Sequence, residues 1–537
     1  MKRAVALFAL SGLLSLSAQQ ISASGIRAHV KFLAHDLLEG RGVGTRGGEL
    51  AAEYLAAQFA LIGAKPAGDN GTYFQRVPLV GVETQATASL MVTGKGAPFS
   101  LRWLDQFVGV SHLQQPDARF DAEAVFVGHG IVAPEYGWDD YKGADVRGKV
   151  VVMFTNEPPS DDAKFFGGRA LTYYGRWTYK YEQAARMGAA AAILIHTTPT
   201  AGYGWDVVRN SWGGEDTQVK RKPDAAALAF AGWVSSEAGD LVAARAGRTV
   251  EQLLQAADTR GFRPFPLGFR IKGEFPSKVR EIESANVAAV IPGSDPALAS
   301  EVVLFSAHWD HLGIGTPVDG DAIYNGAVDN ATGCAMLLEI ARAWAALEQK
   351  PRRSALFLAV TAEEGGLRGS EHYAQNPKIP AGKTALALNF DAFYPFGRVR
   401  DVVVTGAERT TAWPLVQEAA RRMGLQIKPD PRPEQGLFYR SDHFSFARAG
   451  IPAFSIKMGN AFEGKPGDFG ETVFREYNAR HYHQPSDEYR EDWDLAGMEQ
   501  MSRFGLLIGL DAANADRLFT WRPGDEFLPA RQNSGVR

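Results

Sequence analysis

Four segments of this chain each place metal-binding or proton-carrying side chains at the edge of an apolar run. His308-Trp309-Asp310-His311 closes the run Glu301 to Ala307, and Asp329-Asn330 stands just before a helical run that starts at Ala331. Glu363-Glu364 follows Ala355 to Ala362, and Asp391 follows Thr384 to Phe390. Far downstream, His481-Tyr482-His483-Gln484-Pro485-Ser486-Asp487 adds two imidazoles in a proline-containing loop. Residues just past strand ends are where open α/β sheets collect their chemistry. An imidazole, several carboxylates and a remote imidazole make up the inventory of a two-metal hydrolytic site. Two divalent ions about 3.5–4 Å apart need a bridging carboxylate and further oxygen or nitrogen ligands on each side. Zinc suits imidazole mixed with carboxylate where no thiolate is usable. Of two adjacent acids, one can bind metal while its neighbour takes the proton of the attacking water. Any one of these acids alone reads as a helix cap or a solvated turn residue. Their occurrence in order at successive strand ends carries the metal reading.

The elements that must position these residues alternate strand, loop and helix from Ala285 to the end, the pattern of an α/β sheet with crossover helices. Strands are expected at Ala285 to Ile291, Glu301 to Ser306, Ala355 to Thr361, Thr384 to Phe390, Asp401 to Val404 and Ala453 to Ile456, with helices at Ala331 to Leu347 and Thr410 to Met423. Earlier, helices are expected at Ile26 to Leu38 and Gly48 to Ile62, then strands at Phe74 to Val82 and Ala86 to Val92. From about Ala122 the short apolar runs Ala124 to Val127, Val150 to Phe154 and Ala191 to Ile195, with a helix from Tyr179 to Met187, mark a separate insert that holds no cluster of acids, histidines or cysteines.

The segments His308-Trp-Asp310, Asp329-Asn-Ala-Thr-Gly333, Glu363-Glu364, Asn389-Phe-Asp391 and Tyr482-His483 with Asp487 beyond resemble the co-catalytic zinc exopeptidases, which include secreted bacterial leucyl aminopeptidases and, more distantly, glutamate carboxypeptidase and glutaminyl cyclase. The resemblance covers roughly residues 24 to 115 and 275 to 515; the insert, with Val146-Arg-Gly-Lys-Val150 and Gly188 to Ile195, is similar to a protease-associated domain. It implies an α/β fold with a mixed central sheet flanked by helices, carrying an inserted β-rich protease-associated domain. The domains would be a signal peptide at 1–23, a first peptidase part at 24–119, the insert at 120–272 and a second peptidase part at 273–537. It further implies two zinc ions bridged by Asp329, with His308 and Asp391 on one ion and Glu364 and His483 on the other. Glu363 would be the general base, Asp310 the carboxylate that orients His308, and the peptide bond after Asp329 strained and often cis. Tyr439, in Tyr439-Arg-Ser441-Asp442-His443, is a candidate to steady the oxyanion or a structural tyrosine. His311 and His481 match no ligand position. The implied activity is removal of N-terminal residues from peptides. A carboxypeptidase or dipeptidase remains open on the same metal core; a glutaminyl cyclase or a non-catalytic peptide-binding relative fits less well.

Composition narrows the partners. Lys and Arg number 57 against 61 Asp and Glu, a net charge of -4, so no basic footprint invites nucleic acid or an anionic membrane. Lys2 and Arg3 before the apolar run Ala4 to Leu16 read as a signal peptide, too short to span a bilayer, with cleavage between about residues 17 and 24. The expected location is therefore periplasmic or secreted. Cys334 is the single cysteine, so no intrachain disulfide can form and no acylated cysteine follows the signal; its apolar helical setting reads as core packing. A monomer acting on peptide substrates, without a membrane anchor, is the expectation.

Overall fold

The computed structural model describes residues 21–162 and 164–536. Residues 1–20 of the expected signal peptide lie outside the described residues. Two sheets organise the rest, joined by one strand. The larger runs, in spatial order, Glu215–Val219, Phe74–Thr84, Phe265–Ile291, Ser354–Val360, Val302–His308, Thr384–Phe390, Ala453–Met458, Asp401–Thr405 and Gln426–Lys428. The four strands from Ser354–Val360 to Ala453–Met458 are mutually parallel, and antiparallel pairing flanks them. Three of these four are buried along their whole length, as expected of a sheet covered on both faces. The Thr332–Ala345 helix lies in the layer with Ala23–Leu33, Arg46–Ile62 and Ala496–Asn514 and is itself nearly all buried, which explains its apolar residues on every side. Gly333 opens it where no side chain fits: a Cβ there would stand 2.3 Å from Asn330 Oδ1 and 2.4 Å from the Phe390 carbonyl.

The second sheet runs Phe99–Leu101, Ser89–Thr93, the first part of Phe265–Ile291, Asp117–Phe126, Val150–Phe154, Ala191–Ile195, Phe230–Val234 and Phe107–Val110. Val150–Phe154 and Ala191–Ile195 pair in parallel over five residues with the Trp177–Arg186 helix between them, the expected β-helix-β unit.

Strand pairing crosses the expected domain borders. Ser89 to Val110, assigned to the first peptidase part at 24–119, pairs within the second sheet. Glu215–Val219, from within 120–272, instead adds an edge strand to the larger sheet beside Phe74–Thr84. The physical cause is the strand Phe265–Ile291, whose 27 residues pass through both sheets. Among the described residues no helix is long and apolar enough to cross a membrane.

Candidate metal centre

The parallel register brings the strand ends together. His308 is the last residue of its strand and lies opposite Val360, three residues before Glu363. Thr384–Phe390 delivers Asp391 one residue past its end. Asp329 sits in the turn before the Thr332–Ala345 helix, and its peptide bond to Asn330 is cis. His483 comes from the loop that follows the Phe469–Arg480 helix.

Asp329 stands at the centre of this group. Its Oδ1 lies 3.2 Å from His308 Nε2 and its Oδ2 lies 3.5 Å from His483 Nε2, so each oxygen faces a different imidazole. On the first side Asp391 Oδ1 is 3.4 Å from His308 Nε2; on the second Glu364 Oε2 is 3.0 Å from His483 Nε2. Two ligands on one tetrahedral zinc at about 2.0–2.1 Å stand about 3.3 Å apart. These separations of 3.0–3.5 Å therefore fit a pair of ions sharing Asp329.

Proton accounting gives the same answer. His308 Nδ1 is 3.1 Å from the Asp310 carbonyl, which can only accept, so Nδ1 carries a hydrogen and Nε2 is the nitrogen turned to the acids. Ser211 Oγ donates to the Val207 carbonyl at 2.7 Å and lies 2.7 Å from His483 Nδ1, so it accepts there and leaves His483 Nε2 as the nitrogen turned to the acids. Buried His483 Nε2 has no hydrogen-bond partner. Burial opposes charge on His483, yet Glu364 and Asp329 lift it to about 10. Against the same cost of burial, His483 and His311 draw Glu364 down to about 2, and Lys457 and His308 draw Asp391 down to about 2. The cluster is a concentration of negative charge in search of cations. Cys334 is excluded as a ligand: it is buried, its Sγ donates to the His308 carbonyl at 3.1 Å, and burial pushes its thiol up to about 12.

Residues 286–504 match the sequence profile of peptidase family M28. The match covers less than half of the chain and is a likeness of that stretch to the family. A probable zinc metalloprotease of Pyrenophora teres f. teres is 33% identical over 110 residues, 20% of this chain and 23% of that protein. The aminopeptidase NAALADL1 of Rattus norvegicus is 33% identical over 123 residues, 21% of this chain and 15% of that one. The chain thus spans less than a quarter of the length of these curated relatives. An aminopeptidase from Aneurinibacillus sp. strain AM-1 shares the fold over 95% of this chain and 98% of its own, with a TM-score of 0.56 at 19% identity.

Within the matched stretch, the expected set His308, Asp329, Glu364, Asp391 and His483 is brought together, with Glu363 beside it. Asp310 is a correction. Its carboxylate stands 3.9 Å from His308 Nδ1, which turns instead to the Asp310 backbone carbonyl. Both carboxylate oxygens accept from backbone N–H groups, Glu363 at 3.1 Å and Glu364 at 3.3 Å. Asp310 therefore holds the acid pair in place, because two amides of that turn need acceptors in a buried site. Tyr439 is the second correction: its hydroxyl donates to Glu526 at 3.0 Å, which commits it elsewhere. The tyrosine at the acid cluster is Tyr482, its ring tilted 32° to that of His483 with centroids 4.0 Å apart; burial and the charges of Asp329, Glu364 and Glu363 raise its hydroxyl well above the usual range.

Several supporting residues carry no sign in the sequence of what they do. Buried Arg41 donates to the carbonyls of Leu33, Trp309, Asn325 and Gly326, bracing the loops that carry His308 and Asp329. Asn330 ties Asp329 to the Asp391 loop by donating to the Phe390 carbonyl at 3.0 Å and accepting from Ala392 at 3.2 Å. His311, matched to no ligand position, places Nδ1 2.6 Å from Glu364 Oε1. Asp487 accepts from the backbone of Val328 and Asp329 at 3.0 and 3.1 Å. From the insert, the Trp205–Trp212 helix brings Ser211 to the His483 ring and Asn210 Nδ2 3.0 Å from the His483 carbonyl. Among these, Asn330, His311 and Asp487 stand in the segments singled out in the sequence, and Arg41, Asn210 and Ser211 do not.

Proposed function

We propose that this chain is an exported zinc aminopeptidase, periplasmic or secreted, that hydrolyses N-terminal residues from peptides, and that its insert is a protease-associated domain. The observation that carries the reading is the Asp329 carboxylate: its two oxygens each face the Nε2 of a separate imidazole. His308, Asp329 and Asp391 would hold one zinc, and Asp329, Glu364 and His483 the other. Bound there, the two ions supply Lewis acidity toward the scissile carbonyl and lower the pKa of water toward neutrality.

The rest of the chemistry belongs to the chain. Burial, with Glu364, Asp442 and Asp391 adding to it, pushes the Glu363 carboxyl well above its usual range despite the opposing charge of His308. A carboxylate so placed takes a proton readily, so Glu363 would accept one from the attacking water and return it to the leaving amine. Asp310 keeps Glu363 and Glu364 on their separate tasks by gripping the backbone of both. Tyr482, which lines the same cavity as Glu363 and Glu364, would donate its hydroxyl hydrogen to charge developing on the carbonyl oxygen.

The deciding experiment is hydrolysis of aminoacyl-nitroanilides, each beside its N-acetylated twin, before and after chelation and with zinc restored. Cleavage of the free-amine substrates only, lost on chelation and regained with zinc, is the expected result. Failure of zinc-loaded protein on every member of the panel would overturn the aminopeptidase reading.

A further inference from the structure

His311 lies at the acid cluster, yet neither metal position uses it as a ligand. It follows the strand Val302–His308 by three residues, in the loop that enters the hairpin of Gly313–Val318 and Asp321–Tyr324. Its ring is locked in place. It is 2% exposed, and Gly326, on the turn that leads to Asp329, has no room for a side chain beside it: a Cβ there would stand 2.4 Å from His311 Cγ. The ring also meets that of His483 edge-on, with centroids 5.6 Å apart and planes at 76°. Nε2 is buried without a hydrogen-bond partner, which leaves Nδ1, 2.6 Å from Glu364 Oε1, as the polar contact of the ring.

That contact divides the Glu364 carboxylate between two tasks. An ionised carboxylate can only accept, so Nδ1 donates, and the bond has the strength of one made to a charged group. Oε1 is thus taken by His311, while Oε2 lies 3.0 Å from His483 Nε2, on the side of the second metal position. His311 is not spaced as a fellow ligand of Glu364. Ligands that share one tetrahedral zinc stand about 3.3 Å apart, whereas 2.6 Å is the length of a hydrogen bond. Asp391, on the first side, carries no such clamp among the described residues: its Oδ1 is 3.4 Å from His308 Nε2 and its Oδ2 is 3.9 Å from the Lys457 ammonium. The second position therefore has three protein atoms, Asp329 Oδ2, Glu364 Oε2 and His483 Nε2, the count of a tetrahedral site with one place open. Freed from His311, Oε1 would add a second oxygen from Glu364. A site richer in oxygen and higher in coordination number suits Mn2+ better than zinc.

We infer that His311 is a positioning residue that holds Glu364 to one oxygen, and so keeps a place open at the second metal position and selects zinc over cations that need more oxygen ligands. The inference rests on the two-zinc reading and adds metal selectivity to it.

The test is competition between Zn2+ and Mn2+ for chelator-stripped full-length protein, in the unaltered chain, in His311→Leu and in His311→Asn. Leucine fills the space and donates nothing, so zinc affinity at one of the two positions should fall by about 10–100-fold, as on loss of an outer contact to a ligand. Mn2+ affinity at that position should hold or rise, so the zinc-over-manganese ratio should fall by at least the same factor. His311→Asn, whose amide nitrogen stands near the place of Nδ1, should restore the ratio. A ring that only filled space would weaken both metals alike. An equal loss of Zn2+ and Mn2+ in His311→Leu, or no recovery in His311→Asn, would therefore overturn the proposal. A crystal structure of the zinc-loaded unaltered protein decides the point even if neither variant folds. Oε2 alone should bond the ion, with Oε1 still on His311; two bonded oxygens, or His311 itself on the metal, would sink the proposal. Two ions in that crystal with Glu364 bonded through both oxygens defeat this inference alone, whereas one ion or none defeats the two-zinc reading and this inference with it.

Discussion

The two histidines that flank Asp329 are held by different parts of the molecule. His308 ends a buried central strand, and its Nδ1 is satisfied 3.1 Å away by the carbonyl of Asp310, two residues along the same loop. His483 lies in a loop with φ of 57°, and its ring and its carbonyl are both held by the Trp205–Trp212 helix of the insert. One half of the centre is built into the sheet; the other is completed by docking of a segment some 270 residues away in the chain. A sheet needs no second domain to aim a strand end, whereas a loop histidine with left-handed backbone has to be braced from outside. The comparison gives the insert a part in holding His483.

The largest effect should come where the two halves meet. Asp329→Ala removes the carboxylate shared by both positions, so zinc content should fall below one per chain and activity should vanish. The thermal midpoint of the zinc-loaded protein should fall as well, because metal binding and folding are linked. Retention of two tightly bound zincs, measured by elemental analysis after dialysis, would show that the halves do not share Asp329. Next in size is Glu363→Gln, which should keep both zincs and lower kcat by about 10²–10⁴-fold. Zinc loss together with activity loss in that variant would make Glu363 a ligand and break the division of labour between the adjacent acids.

Much of the sheet half is legible in residue type and order alone. The parallel strands are continuous apolar runs, and strand ends in such sheets are where ligands gather, so His308, Glu364 and Asp391 stand out by position. What is not legible depends on backbone groups and distant contacts. Residue type and spacing give no sign that the Asp310 carboxylate grips two amides while its carbonyl holds the imidazole. Arg41 shows only as one member of a glycine- and arginine-rich turn, yet it donates to four carbonyls. The long strand Phe265–Ile291 is recognisable only from Ala285, because its earlier residues alternate buried with exposed and carry charges such as Arg270, Lys272 and Glu274. That alternation is correct for a strand with one solvated face, but glycines and prolines interrupt the pattern.

The loop half can be weakened by itself. Ser211→Ala leaves the His483 Nδ1–H without an acceptor in a buried place and frees the ring to turn. Loss of such an outer contact lowers metal affinity by about 10–100-fold. The weakening should fall on one zinc of the two, so titration of chelator-stripped protein should change from two tight steps to one tight and one weak. Ser211→Thr, which keeps the hydroxyl, should restore both. An unchanged titration in Ser211→Ala would mean that the loop holds His483 without help from the insert.

The smallest effect tests the backbone side of the same brace. Asn210 donates to the carbonyl of a residue that is not glycine yet has φ of 57°. The left-handed region costs a non-glycine residue of order 1–3 kcal/mol, and it persists where surrounding contacts enforce it. A hydrogen bond of the Asn210 type contributes about 1 kcal/mol, so Asn210→Ala should weaken the second zinc by about fivefold, less than Ser211→Ala. Because both side chains act on one residue, their effects should not add: once the ring is free to turn, release of the carbonyl changes little. A double variant weaker than Ser211→Ala by the full factor lost in Asn210→Ala would show two independent contacts. A smaller loss would show that ring and carbonyl are held as one unit by the insert.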